Sequence, residues 1–586
     1  MDCLKPLRTA AVHLPAIKNL TYSTVLILLF SIIATTRVPP PSLVPHPKYQ
    51  FRPIPAGWSA RPPSASSSHS HPASSVTDQV VIDVGSEESS SPVFSWPSSP
   101  NNPVDVVRID GVNLDTHAFI DANGRTRLFR GVNVVYKVHP WHPLTDVWHP
   151  QFSFSREDIE LLADLNINAI RLGIQWPGVE PVRGQYNQTY LDVVKSIIRR
   201  CEEKGIYILV DFHQDSLSEK FCGEGLPLWA VEVSERSAFP LPLETKSWTT
   251  DERGIPLRED CLKHNWPTYQ TTVAGSQAYQ NLYDDKDGIR TAFGQFWQTV
   301  ATELKEFRNI LGYDLINEPF AGAIYRNPAL LVPGAADRIN LQPFYNSISE
   351  AIRQVDQQSI IFFESVTWDN LVVGFSDTPG GQQYKNRTAL SYHHYYPLPN
   401  IARLEPTIKD RLKDVSRLKT GMMLTEFDIA YENQGREHVR DLVEALDVAD
   451  KYFQSWTGWE FKPFYPMTGF GDSLIDPVTG EIRWPMVQVY SRTYAHAVAG
   501  KLINHKFDME TGKFDLKYEI TNVAATTEIR IMKRVHYPNG YAVRISPASK
   551  ARWSPRSDNY NLIEIRHMSR AQVGDIIEVV IIALQL

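Results

Sequence analysis

A two-part unit recurs along the middle of this sequence: a short, nearly all-apolar segment paired with an amphipathic segment of helical length. After "LFRGVNVV" come "SREDIELLADLN" then "INAIRLGI", "TYLDVVKSIIRRCEEKG" then "IYILVDFH", and "IRTAFGQFWQTVATELKEF" then "LGYDLIN". The series runs on through "FYNSISEAIRQV" then "SIIFFE", "LSYHHYY", "TIKDRLKDVSRLKTG" then "MMLTEF", and "HVRDLVEALDVADKYF" then "SWTGWEF", making about eight units. The helical segments carry their own punctuation. Ser155 stands as an N-cap before acidic first-turn residues, and Gly205 closes the helix that Thr189 opens. Strands this apolar must be buried on both faces, and strands joined through helices run parallel. Eight such units fit a closed (β/α)8 barrel better than an open doubly wound sheet, with one insertion from Gln214 to Gly288. No Gly-x-Gly-x-x-Gly follows the first strand, so a dinucleotide is not indicated and no cofactor is expected.

The flanks differ in kind. Lys5, Arg8 and Lys18 precede the apolar run Val25 to Ala34, so residues 1–37 read as a signal peptide or a signal anchor. Residues 38–103 are rich in Pro, Ser and His, with too little apolar surface to offset ordering, and read as a disordered stalk. The barrel domain is assigned to residues 104–499, its last helix taken as "QVYSRTYAHAVAG" closing at Gly500. Residues 500–586 change period: "KFDLKYEI", "TTEIRIMKRV", "YAVRIS", "NLIEIRH" and "IIEVVIIAL" alternate in twos and describe a small antiparallel β-sandwich. The N-terminus places the chain in the secretory pathway, extracellular or lumenal. Cys222 and Cys261 share one polar loop segment and suggest a disulfide, Cys201 reads as a buried thiol, and the sequons at Asn187 and Asn386 are open to glycans. The formal net charge of −7 is spread without a basic stripe, which excludes nucleic acid as a partner. No cysteine pair has metal-site spacing, and no metal is expected.

In a parallel barrel the active site forms at the C-terminal ends of the strands, so polar residues at the tails of apolar strands are informative. Read in order, the tails supply Asn133 and Lys137, Arg171, His213 and Asp215, Asn317 and Glu318, His393 to Tyr396, Glu426, and Trp459 with Glu460. Each alone has a bland reading as a loop turn or a core polar residue. Two glutamates ending two apolar strands, with Arg, His, Asn and Tyr converging on them, point instead to two-carboxylate glycoside hydrolysis. A separation of roughly 5–5.5 Å would mean retention of configuration, and roughly 6.5–9.5 Å inversion.

The set "AIRLGIQW", "VDFHQD", "LINEPF", "SYHHYYP" and "LTEF" resembles the family 5 glycoside hydrolases. Within that family, "FRGVNVVYK", "VDFHQDSLSEKFCGEGLPLWAV" and "HYPNGYAVRISP" resemble the endoglycoceramidases, which release intact glycans from glycosphingolipids. The resemblance implies Glu318 as acid/base, Glu426 as nucleophile, Asn317 on the sugar 2-hydroxyl, and Arg171 holding the nucleophile ionised. It further implies Lys137, Asp215 and His213 around the first glucose, with Trp459 as its floor. For the family's His-x-Tyr, the choice lies between His393 with Tyr395 and His394 with Tyr396, and the second pair is favoured.

The expected activity is that of a retaining endo-β-glycosidase that cuts between the reducing-end glucose of a glycosphingolipid and ceramide, acting as a monomer at a membrane surface or lipid micelle. The apolar loop Asn327 to Gly334 and the insertion are the candidate lipid contacts. Two other readings stand beside it: a β-glucosidase or glucosylceramidase of the same family, and a glycolipid-binding protein without catalysis.

Overall fold

The computed structural model describes residues 106–234, 238–367, 372–395, 404–427, 436–464 and 473–584. The apolar run from Val25 and the Pro/Ser-rich segment lie outside them. Among the described residues no helix is long and apolar enough to cross a membrane. Three short strands come first, β1 (Ile109–Val112), β2 (Phe119–Asp121) and β3 (Thr126–Arg127); the Asn123-Gly124 step turns β2 into β3, whereas Asp110-Gly111 lies within β1 at a register shift. Eight parallel strands then close a barrel: β4 (Arg130–Val134), β5 (Ala169–Gly173), β6 (Tyr207–Asp211), β7 (Ile310–Asp314), β8 (Ile360–Glu364), β9 (Thr388–His394), β10 (Gly421–Phe427) and β11 (Trp456–Gly458). The predicted (β/α)8 architecture is the observed one.

The two faces of each strand explain its composition. On β6, Ile208 and Val210 pack outward into the helical layer, while Tyr207 and Leu209 point into the barrel. The lower half of the barrel is filled by Phe129, Tyr207, Leu209, Leu311, Phe362 and Met423, and the β1–β2 hairpin plugs that end, Phe119 stacking on Phe362 at 5.8 Å. Apolar side chains thus close the N-terminal end. Inward positions further along the strands turn polar, which is where a (β/α)8 fold places its chemistry.

Beyond the barrel, two antiparallel sheets form the predicted sandwich. One holds seven strands in the order β1-β2-β3-β12-β15-β18-β17, with β12 (Tyr494–Val498), β15 (Thr527–Arg530), β17 (Ala551–Arg556) and β18 (Asn559–His567). The other holds β13 (Gly500–Phe507), β14 (Phe514–Ile520), β19 (Ile576–Ala583) and β16 (Tyr541–Ser546). The expected last helix is corrected here. It runs only over Trp484–Tyr490, and "YAHAV" is instead β12, paired with β3 and β15. The reason is its two-residue period of alternating small and larger side chains, buried on both faces. The sandwich therefore starts before residue 500 and also recruits the N-terminal strands.

Candidate active site

The centre of the barrel mouth is Arg171, inward on β5 and fully buried. Its guanidinium spreads over five acceptors. Nε donates to Asp314 Oδ2 at 2.9 Å, Nη2 to Asp211 Oδ1 and Asn317 Oδ1 at 2.9 Å each, and Nη1 to Glu426 Oε1 at 2.6 Å and Asn133 Oδ1 at 3.2 Å. Burial works against its charge, yet Asp211, Asp314 and Glu426 outweigh it and push its pKa up. Only a planar fork with several N–H groups could hold so many oxygens in one plane.

Glu426 ends β10, where the register with β9 shifts between Leu424 and Glu426 and so re-aims the side chain. Burial raises a carboxyl pKa, but here His393 and Arg171 prevail and hold Glu426 below its ordinary value, with the Tyr395 hydroxyl donating to Oε2. Glu318 follows β7. It sits at φ 40°, left-handed for a non-glycine residue, and directly precedes Pro319. Such a conformation costs about 1–3 kcal/mol and persists only where surroundings enforce it. Gln214 Nε2 grips it from one side, donating to Asn317 O at 2.7 Å and Glu318 O at 2.9 Å. On the other side the Glu318 N–H donates to Glu364 Oε2 at 2.9 Å.

The two glutamates meet at His393. Its Nδ1 lies 2.8 Å from Glu318 Oε1, 3.5 Å from Glu426 Oε2 and 3.6 Å from Glu364 Oε1. A carboxylate oxygen of Glu318 and one of Glu426 lie within 4.8 Å of each other. Burial lowers the imidazole pKa, but Glu364 and Glu426 reverse that and raise it to about 10. Glu318 and Glu426 are 7% and 3% exposed, shielded yet still at the surface of the cleft.

Beside this pair lies a second cluster. Lys137 Nζ bonds Asp215 Oδ2, reaches Glu224 Oε1 at 3.2 Å and sits 4.7 Å from the centre of the Trp459 ring. His213 stacks on Trp459 with centroids 5.1 Å apart, and its Nδ1 faces Asp211 Oδ2 at 2.8 Å. Burial and Lys137 both lower the His213 pKa, but Asp211 outweighs them and it rises to about 9. Glu224 and Glu460 are each pushed up to about 8, first by burial. Among the described residues the groups spaced to share a cation are His213, Asp215 and Glu224, and Glu318, His393 and Glu426. Each already has a cationic side chain within it or against it, Lys137 in the first and His393 with Arg171 in the second.

The structure thus brings together Glu318, Glu426, Arg171, Asn317, Lys137, Asp215, His213 and Trp459. The favoured histidine is corrected. His394 points away from the mouth, its Nδ1 3.2 Å from Thr407 Oγ1 on the helix Leu404–Leu418, and burial lowers its pKa to about 4. Side chains alternate along a strand, so Ser391 and His393 face inward and Tyr392 and His394 outward. Tyr396 lies outside the described residues; Tyr395 is the tyrosine on Glu426.

Glu364 and Glu224 do not stand out in the sequence. Glu364 ends the inward series Ile360, Phe362, Glu364, a signal the strand-tail rule could have used. Glu224 lies in the insertion, where Asp215 and Glu224 exchange backbone hydrogen bonds and the Cys222–Cys261 disulfide ties the loop down. Cys201 is a buried free thiol. The insertion's Phe221, Leu226, Ala230 and Val231 are buried in the main core, so this stretch is packing and not an exposed lipid contact.

A family model described as Cellulase (glycosyl hydrolase family 5) matches residues 120–464, and one described as Glycoside hydrolase family 5 C-terminal domain matches residues 492–581. The chain belongs to glycoside hydrolase family 5. It is 42% identical over 469 residues to an endoglycoceramidase of Cyanea nozakii, covering 79% of this chain and 92% of that one. It is also 42% identical over 454 residues to an endoglycoceramidase of Hydra vulgaris, covering 77% and 86%. In fold, the family 5 chain is similar to endo-glycoceramidase II from Rhodococcus sp., solved as a lactosyl-enzyme intermediate, with a TM-score of 0.62, 22% identity, and 80% and 99% of the two chains covered.

Proposed function

We propose that this family 5 enzyme is a retaining endo-β-glycosidase that hydrolyses the bond between the reducing-end glucose of a glycosphingolipid and ceramide. The observation that carries the reading is the pair Glu318 and Glu426, with oxygens within 4.8 Å. That closeness suits the short carboxylate separation of a retaining pair, in which one glutamate attacks directly. Glu426, held ionised by His393 and Arg171, attacks the anomeric carbon while Glu318 gives its proton to the glycosidic oxygen. The C–O bond breaks, ceramide leaves with that proton as an alcohol, and the glycan stays esterified to Glu426. Glu318, now a base, takes a proton from water, whose oxygen displaces Glu426 and frees the glycan.

Asn317 is oriented by Arg171 and Gln214, its amide nitrogen also lies 3.5 Å from His213 Nε2, and that amide is the group offered to the 2-hydroxyl. Lys137, Asp215, His213 and Trp459 form the glucose site, with Glu224 and Glu460 as protonated donors. The endoglycoceramidase names of the 42%-identical relatives support the substrate class. So does the loop after Glu318, where Leu330 is anchored in the core while Val332 and Ile339 are each 50% exposed. The enzyme works in an oxidising, lumenal or extracellular setting at a lipid surface, a reading supported by the Cys222–Cys261 disulfide and by the exposed sequon residues Asn187 and Asn386.

Lactosylceramide tests the reaction. Free lactose and ceramide are expected, with Glu426→Gln folded but inactive. Release of monosaccharides, or full activity in that variant, overturns the assignment. Expression in a secretory host followed by endoglycosidase treatment tests the location, and a protein that fails to enter the lumen overturns it.

A further inference from the structure

A retaining mechanism asks two things of Glu318: that it point at the glycosidic oxygen, and that it hold a proton until the bond breaks. The backbone does not favour the first, because Glu318 stands at φ 40° with a proline after it. Gln214 fixes the two carbonyls of the turn. The Glu318 N–H is held by one group, Oε2 of Glu364, at 2.9 Å. Glu364 itself ends β8 on the inward face, and its backbone carbonyl accepts from the Tyr345 hydroxyl at 2.7 Å, so it is a fixed post. Its other oxygen faces His393 Nδ1 at 3.6 Å, the same nitrogen that bonds the Glu318 carboxylate at 2.8 Å. One carboxyl group therefore touches the acid/base twice, through its main chain and through the imidazole that binds its side chain.

Resting on that reading of Glu318, we propose that Glu364 is the positioning residue of the acid/base: it clamps the left-handed turn that aims Glu318 at the glycosidic oxygen. The groups facing Glu364 are Glu318 and Asp314 from the β7 side, His393 from β9, Arg171 from β5 and Tyr345 from the helix Gln342–Arg353. Burial, then Glu318 and Asp314, raise its pKa to about 8 against the pull of His393 and Arg171.

The experiment compares wild type, Glu364→Leu and Glu364→Gln on lactosylceramide and on 2,4-dinitrophenyl β-lactoside. The first leaving group needs a proton and the second does not, so only the first depends on a correctly aimed acid. Glu364→Leu loses the acceptor for the Glu318 N–H; kcat/KM on lactosylceramide is expected to fall about 100-fold, as for a reacting group misplaced by about 1 Å, with less than about a threefold fall on the dinitrophenyl substrate. Glu364→Gln keeps an oxygen for that N–H. It is expected to recover most of the activity on lactosylceramide. Equal losses on both substrates, no loss in Glu364→Leu, or a Glu364→Gln as impaired as Glu364→Leu overturns the proposal. Should Glu364→Leu fail to fold, Glu364→Ala, which also lacks the acceptor, takes its place. A wild type that cleaves the aryl lactoside but no glycolipid refutes the substrate assignment, and an alkyl β-lactoside, whose leaving group also needs a proton, then carries the clamp comparison.

Discussion

Replacing Glu460 by glutamine measures the electrostatics of the sugar site. Glu460 is 5% exposed and next to Trp459; burial, then the nearby Glu426 and Asp215, outweigh Lys137 and His213 and raise its pKa from 4.5 to about 8. The folded protein therefore holds a proton there that the unfolded chain has released at neutral pH. Stability conferred by that proton is full below pH 4.5, declines as pH rises, and levels off above 8. With 1.36 kcal/mol per pH unit, ionisation of Glu460 costs the fold about 1 kcal/mol at pH 5 and about 4 kcal/mol at pH 8. Glutamine has the shape of the protonated acid and does not titrate. The advantage of Glu460→Gln over wild type is thus expected to grow by about 3 kcal/mol from pH 5 to pH 8, in urea unfolding followed by tryptophan fluorescence. Using the difference between two pH values cancels any fixed cost of the amide. Stability curves that stay parallel within about 1 kcal/mol would refute the claim that Glu460 is buried as a neutral acid.

The same geometry dictates three more outcomes. His393→Ala should lower kcat/KM on lactosylceramide by about 100-fold or more, whereas His394→Ala should leave it within a few-fold, because only the first touches both glutamates. Equal effects would restore the rejected pair. Arg171→Lys replaces a fork by a point charge; Glu426 then ionises at higher pH, so the acidic limb of the rate profile should move upward, and an unmoved limb would dismiss Arg171 as its electrostatic support. The double change Cys222→Ser with Cys261→Ser opens a loop with a sequence separation of 39 and should lower unfolding free energy by about 4 kcal/mol. It should also raise KM, since Glu224, two residues from Cys222, loses its anchor beside Lys137. Unchanged KM would show that the loop is positioned without the disulfide.

The barrel was legible because its signal is redundant: each strand is apolar on both faces and each is paired with a helix, so one misread boundary changes nothing. Glu318 and Glu426 were legible as the charges that end such strands. The histidine was not. "YHHYY" offers two adjacent imidazoles, and in β9 every residue is buried, so no polar alternation marks the inward face. The phase is set by Ser391, whose hydroxyl reaches Asp314 across the barrel, a contact between residues 77 positions apart. Glu224 was hidden for a similar reason, since a disulfide and a two-residue bridge bring it to Lys137. "YAHAV" was read as helix because its alternation is one of size and not of polarity, every residue being buried, and because its partner β3 lies far away in sequence.

The site holds more acids than cations, and that imbalance is what sorts their roles. Asp211, Asp314, Glu318, Glu364 and Glu426 share Arg171 and His393, while Asp215, Glu224 and Glu460 share Lys137 and His213. Burial penalises every ionised carboxyl, and the balance of nearby cations against neighbouring acids decides which one loses its proton: Asp314, though bonded to Arg171, is still raised to about 6 by burial with Asp211 beside it. Glu426, bonded to Arg171 and close to His393, falls below its ordinary value, and so does Asp215, bonded to Lys137. Glu364, Glu224 and Glu460, with cations farther off or shared, rise to about 8. In neutral solution the nucleophile is therefore an anion, and Glu224, Glu364 and Glu460 stand by as neutral acids. Those acids can give hydrogen bonds to sugar hydroxyls without repelling the charge that must attack. The stability these protons confer declines from pH 4.5 and levels off above 8, whereas the donors themselves are lost only as the folded acids ionise around pH 8, so stability should fall first and the rate afterwards. A rate that fell in step with stability from pH 5 upward would show these acids ionised well below 8 in the folded protein and break the argument.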